Sequence, residues 1–148
     1  MTQTKEADAV ARPVRLQLSR RKGFNLQEVS RAANGLAALK VTRPGDLGNP
    51  FRITGPVKYL DGSGKVEWWV ERDGGIWRFP TKAEAQIAAV EMFRKVVNMP
   101  GAEKFRAHVK LALRNVNPAC NCRLGDPCHA DVLLEIATPH PATRSGGE

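Results

Sequence analysis

The sequence predicts a single small α/β domain: a mixed sheet flanked by helices, with a β-meander in the middle. Three observations carry that expectation. Val14, Leu16 and Leu18 alternate with Arg15, Gln17 and Ser19, the period of a half-buried strand. Residues 57–79 fall into three short strand-like runs separated by Asp61-Gly-Ser-Gly64 and Asp73-Gly-Gly75, the punctuation of a meander. Capped helical stretches then begin at Thr81 and Asp126, each with apolar residues at helical spacing. A chain of 148 residues is long enough to bury one core.

In chain order, residues 1–11 are polar and aperiodic and read as a disordered leader, the domain occupies 12–137, and 138–148 reads as a disordered tail. Arg20-Arg21-Lys22-Gly23 closes the first strand, and a mostly polar connection is expected from Asn25 to Gly35. Leu39 and Val41 mark a second strand. The segment Thr42-Arg-Pro-Gly-Asp-Leu-Gly-Asn-Pro-Phe51 holds two glycines and two prolines, so it is a shaped loop. Pro44 and Pro50 bias Arg43 and Asn49 toward extended backbone. Gly45 and Gly48 permit positive φ or close approach of a ligand. The loop serves either as a pocket wall, with Arg43 and Asn49 as donors, or as a tight connection capped by buried Phe51.

The meander comprises Val57 to Leu60, Val66 to Glu71 and Ile76 to Phe79. Trp68 and Trp69 are adjacent, so a strand points them to opposite faces. One belongs in the core, and the other covers a helix or stacks a base. Thr81 and Glu84 form a capping box, after which Ala83, Ile87, Val90, Phe93 and Val97 share one helical face. Met99-Pro100-Gly101 breaks that helix. A second, about 102–113, buries Phe105, Val109 and Ala112 and leaves His108 at its boundary. Asn115 suits a left-handed helix end, and a strand of about 116–122 follows. Asp126 is the expected N-cap of a last helix, with Pro127 at its first position. Cys128, His129 and Asp131 then occupy its first turn, and Val132, Leu133 and Ile136 its apolar face.

Composition narrows the function. With 42% hydrophobic and 26% charged residues the chain reads as globular, and no apolar run approaches the roughly 20 residues that span a bilayer. Met1 to Ala11 carries Glu6 and Asp8 and has no apolar core, so it is not a secretory signal. Three clustered cysteines, an odd number, argue for a reducing compartment, with the cytoplasm the expected one. The net charge of +8 and pI near 9.9 raise nucleic acid as a partner. Arg12, Arg15, Arg20, Arg21, Lys22, Arg31, Lys40 and Arg43 stand against Glu28 alone over that stretch. Such a stripe either neutralises phosphates or is simply a solvated face.

The cysteine cluster leaves four readings open. Cys120, Cys122, Cys128 and His129 offer a zinc donor set. Against it, the spacing C-x-C-x5-C-H departs from the usual two to four residues between ligands, and adjacent Cys128 and His129 diverge by about 100° on a helix. No stoichiometric metal is therefore expected. A second reading makes Cys128 a low-pKa thiolate at a helix N-terminus, partnered by His129 or Asp131. In a third, His129 and the first-turn N–H groups cradle an anion. In the fourth, expected for Cys120 and Cys122, the cysteines pack as small hydrophobes.

Val41-Thr-Arg-Pro-Gly-Asp-Leu-Gly-Asn-Pro-Phe51 resembles V-G-R-P-x-x-W-G-N-P-F. Cys120-Asn-Cys-Arg-Leu-Gly-Asp-Pro-Cys-His-Ala-Asp-Val-Leu-Leu-Glu-Ile-Ala137 resembles C-W-C-x5-C-H-G/A-D-V-L-x-E-L/I-A. Together, and with the basic Arg20-Arg21-Lys22-Gly23, they are similar to the DUF4326 family, a domain of unknown function in bacteria and their phages. The resemblance covers about residues 13–137 and implies a compact α/β domain, with no established activity to carry over. Thr42, Leu47 and Asn121 depart from the pattern where it has glycine, tryptophan and tryptophan, which suggests a reshaped cavity or a lost activity.

Two functions follow as expectations. In the first, the Arg43–Phe51 loop and the Cys122–Cys128 turn face each other across a pocket for a small anionic ligand, a nucleotide or nucleotide-sugar. Arg43, Asn49 and Asp126 are then the candidate ligand-binding residues, and Cys128, His129 and Asp131 the candidate catalytic ones, with Asp131 as general base or as the partner fixing the His129 tautomer. No cofactor is legible. In the second, the protein is a phage or mobile-element accessory that binds nucleic acid through the Arg12–Arg43 stripe and one exposed tryptophan.

Overall fold

The computed structural model describes residues 12–43 and 45–138; the leader expected over 1–11, Pro44 and the tail beyond Thr138 lie outside the described residues. The elements in chain order are β1 (Leu16–Gln17), α1 (Leu26–Asn34), β2 (Ala37–Lys40), β3 (Arg52–Lys58), β4 (Val66–Arg72), β5 (Gly75–Phe79), α2 (Lys82–Val97), α3 (Glu103–Ala112), β6 (Val116–Cys120) and α4 (His129–Ala137). The fold is a single small α/β domain. Parallel and antiparallel strands are both present, divided between a parallel sheet ordered β1-β6-β2 and the antiparallel meander β3-β4-β5. One core joins them, running through Val41, Val70, Ala89, Phe93, Cys120 and Leu133. No helix among the described residues is long and apolar enough to cross a membrane.

β6 is the central parallel strand, pairing Leu16↔Ala119 on one side and Lys40↔Ala119 on the other. Its location delivers Cys120, at its last position, into the core. Beside it runs α1, where a polar connection was expected. Asn25 Oδ1 caps that helix by accepting the Glu28 N–H at 3.1 Å, and Gly35 ends it at φ 83°. The helix was hidden because its one buried residue is Ser30 rather than an apolar side chain. Ser30 accepts a bond from Asn117 Nδ2 at 2.7 Å, and Asn117 exchanges reciprocal amide bonds of 2.8 and 2.9 Å with Asn34. Asn117 Oδ1 also accepts the Val14 N–H at 2.9 Å. No buried side-chain polar atom in this knot lacks a partner, so it ties α1 to β6 and to the segment leading into β1.

The meander begins at Arg52, earlier than the expected Val57, because Gly55 and Pro56 interrupt the apolar alternation. A register shift between Thr54 and Val57 absorbs the interruption. Gly55 is required there: a Cβ would sit 2.5 Å from the Trp68 ring. Trp68 and Trp69 do point to opposite faces. Trp68 packs on the core, while Trp69 Nε1 donates to Glu67 at 2.6 Å on the other side. In α2 the Thr81 cap forms, accepting the Glu84 N–H at 3.2 Å. The buried face is Ala85, Ala89, Val90, Phe93 and Val97; Ala83 is exposed and Ile87 is 52% exposed. Apolar residues encircle the first half of this helix, so periodicity alone did not select the side on which small alanines permit close packing. Asn115 takes the expected left-handed conformation, φ 56°, between α3 and β6.

Candidate functional site

A pocket of about 320 Å³ opens between the two motif segments. Thr42, Arg43, Asn49 and Phe51 form one side, and Cys120, Cys122, Cys128 and His129 the other, with Gln86 of α2 also lining it. The loop and the turn thus face one another, and Asn49 and His129 border the same cavity. A second hollow, about 440 Å³, lies on the far side of the loop and shares only Arg43 with the first.

The loop wall is held by its own side chains. Asn49 is buried; its Oδ1 accepts the Phe51 N–H at 2.9 Å, and its Nδ2 donates to the Ala89 carbonyl at 3.3 Å. Asn49 therefore rivets the loop to α2, with one bond made at each end of its amide. Arg43 Nη1 donates to the Asn49 carbonyl at 2.7 Å. Gly48 lies against the Arg43 backbone, where a Cβ would come within 2.8 Å of its nitrogen, so the close approach there is made by the loop itself. Arg43 is exposed at the pocket mouth, and no described carboxylate pairs with it. Partial burial lowers its pKa, and the positive charge of Arg52 adds to that.

The opposite wall depends on Arg15. Its Nη1 donates to the Asp126 carbonyl at 3.0 Å and to Asp131 Oδ2 at 3.3 Å, while Nη2 donates to the carbonyls of Arg123, at 3.0 Å, and Leu124. Its side chain is 7% exposed, so this arginine is withdrawn from the basic stripe. Holding those carbonyls keeps residues 123–126 in a turn, and α4 starts later than expected. Cys128, not Asp126, is the N-cap: its backbone is extended, and its Sγ accepts the Ala130 N–H at 3.4 Å. The Asp131 N–H goes to the Cys128 carbonyl at 3.0 Å. These two first-turn donors are already spent, which removes them from an anion cradle.

His129 is buried, and its Nε2 lies 2.7 Å from the Val41 carbonyl oxygen. A carbonyl only accepts, so Nε2 carries a proton, and Nδ1 lies 3.8 Å from Cys128 Sγ. Val41, not Asp131, fixes the tautomer. Asp131 and Asp126 lie outside the pocket lining, and Asp131 faces Arg15, so neither the general-base role nor direct ligand contact from Asp126 fits this geometry. Burial raises the pKa of Asp131, with Arg15 opposing.

The three thiols converge. Sγ of Cys120 lies 2.8 Å from Sγ of Cys128, and all three sulfurs lie within 4.8 Å of one another. All are free cysteines. Because Cys128 precedes the helix, the divergence expected of two adjacent helical residues does not apply. Hydrogen bonds from Cys120 and then Cys122 pull the Cys128 pKa well below the usual thiol value. Hydrogen bonds with Cys122 and then Cys128, together with burial, push Cys120 up. Cys122 is helped by Cys120, but Cys128 and burial outweigh this and raise it to about 11.

The structure brings Arg43, Asn49, Cys128 and His129 to one cavity and leaves Asp126 and Asp131 outside it. Sequence reasoning favoured a packing role for Cys120 and Cys122 over a zinc donor set, and missed Gln86 and Arg15. Only the i, i+2 spacing of the two cysteines hinted at their shared direction. Of the three departures from the motif pattern, Thr42 and Asn121 line the pocket, while Leu47 is buried in the core.

No curated protein and no solved structure matches the chain. A family model does, over residues 24–139, a span that includes both pocket walls. The chain belongs to DUF4326, a domain of unknown function.

Proposed function

We propose that this pocket binds a small anionic ligand, a nucleotide or nucleotide-sugar being the class it suits best. The observation that carries this reading is Arg43: a guanidinium at the pocket mouth, without a described carboxylate partner and made more electropositive by Arg52. A partly desolvated arginine with free N–H groups is a ready bidentate partner for phosphate or carboxylate. His129 gives its Nε2–H to Val41, so the anion contact is assigned to Arg43. Thr42, Gln86 and Asn121 supply further polar edges. A volume of about 320 Å³ stands at the lower end of the range for small-molecule sites, favouring a mononucleotide-sized ligand over a longer one.

A thermal-shift screen over nucleotides and nucleotide-sugars tests it. A ligand at 100 times its Kd stabilises by about 2.7 kcal/mol, which raises Tm by roughly 5–10 °C in a domain of this size. The shift is expected to vanish in Arg43→Ala, whose exposed side chain contributes little to the core. Silence across the whole screen overturns the reading.

A further inference from the structure

We propose that Cys120, Cys122 and Cys128 hold one thiophilic metal ion, Zn²⁺ by its chemistry, beside the pocket. The site is assembled from three separate places: the end of β6, the following turn, and the N-cap of α4. Their sulfurs meet within 4.8 Å although their spacing matches no common zinc motif. Thiolates about 2.3 Å from a tetrahedral zinc stand about 3.8 Å from one another. The 2.8 Å pair Cys120–Cys128 must therefore open by about 1 Å to take the ion.

The surroundings suit that ion. The donor set is all sulfur, which selects zinc over magnesium or calcium. Ala130 N–H points at Cys128 Sγ, as backbone donors do around structural zinc thiolates. Three thiolates with one Zn²⁺ leave a net charge of −1, and Arg15 and Arg43 both lie within electrostatic reach of Cys122. The fourth position is left to a solvent molecule or a pocket ligand, because the converging donors are the three sulfurs alone among the described residues. His129 stands beside the cluster, its Nε2–H tied to the Val41 carbonyl and its Nδ1 3.8 Å from Cys128 Sγ. Binding forms Zn–S bonds and releases the thiol protons to the buffer, with no change in oxidation state.

The full chain, purified under reducing conditions and desalted after incubation with Zn²⁺, is expected to retain one equivalent by elemental analysis. Co²⁺ in its place should give thiolate charge-transfer absorption and tetrahedral visible bands. Zn²⁺ should also protect all three cysteines from alkylation, a readout on the unaltered protein that needs no variant to fold. Cys122→Ser, altering the least buried of the three thiols, should lose the stoichiometric metal. Reduced protein that retains no zinc and shows no cobalt thiolate band overturns the proposal. So does metal binding that leaves any of the three cysteines as reactive as before.

Discussion

His129 Nε2 donates to the Val41 carbonyl oxygen across 2.7 Å, joining the start of α4 to the end of β2. The bond links segments 88 residues apart and closes one side of the pocket. His129→Leu should preserve most of the packing but leave a buried carbonyl without a donor, at a cost of about 1–3 kcal/mol. Urea unfolding in metal-free, reducing buffer measures this. An unchanged midpoint would show that the bond contributes nothing.

Arg15 holds the carbonyls of Arg123, Leu124 and Asp126 together with Asp131. Arg15→Met should destabilise the fold by about 2 kcal/mol, the scale of charged hydrogen bonds lost. Arg15→Lys should recover little, since one ammonium cannot reproduce the planar fork. Equal stability of the lysine variant and the unaltered protein contradicts the clamp.

Gly48→Ala would bring a methyl group within 2.8 Å of the Arg43 backbone nitrogen. The loop must then shift, at about 1–3 kcal/mol, and Arg43 with it. Ligand-induced stabilisation should fall more than the Tm of the free protein, as two melting curves per variant would reveal.

On the meander, the buried Glu67 carboxylate is held below the usual carboxylate range by Arg78, at 2.6 and 3.0 Å, and then by Trp69. A depressed folded pKa gives stability that is present above the unfolded value and lost as pH falls through the folded one. Glu67→Gln should therefore be less stable than the unaltered protein at neutral pH, and the difference should close in acid. Chemical denaturation across pH tests both the sign and the window.

Local signals made part of this fold legible. Glycine turns announced the meander, and Thr81 announced α2. The loop and turn motifs were legible as compositions, and their meeting across a pocket followed from treating them as one site. What stayed hidden depends on distant partners. α1 is fastened by Ser30 and Asn34 to Asn117, so no apolar stripe betrays it. Asn49 reads as a ligand donor in sequence, while its bond to Ala89, 40 residues away, also makes it a tie between the loop and α2. Asp126 looks like an N-cap until Arg15, 111 residues upstream, takes its carbonyl and leaves the cap to Cys128. Likewise, a spacing with no standard zinc pattern still converges once a strand end and a helix cap lie side by side.

The most direct test of the pocket as an anion site is a residue-resolved NMR titration with the nucleotide that gives the largest thermal shift. Amide perturbations should cluster at residues 42–53 and 120–130 and follow one saturating isotherm. The exposed cations Arg20, Arg21, Lys22, Arg31 and Lys40 should stay unmoved. Perturbations confined to those cations and weakening steeply with salt would contradict the account and favour a nucleic-acid surface instead.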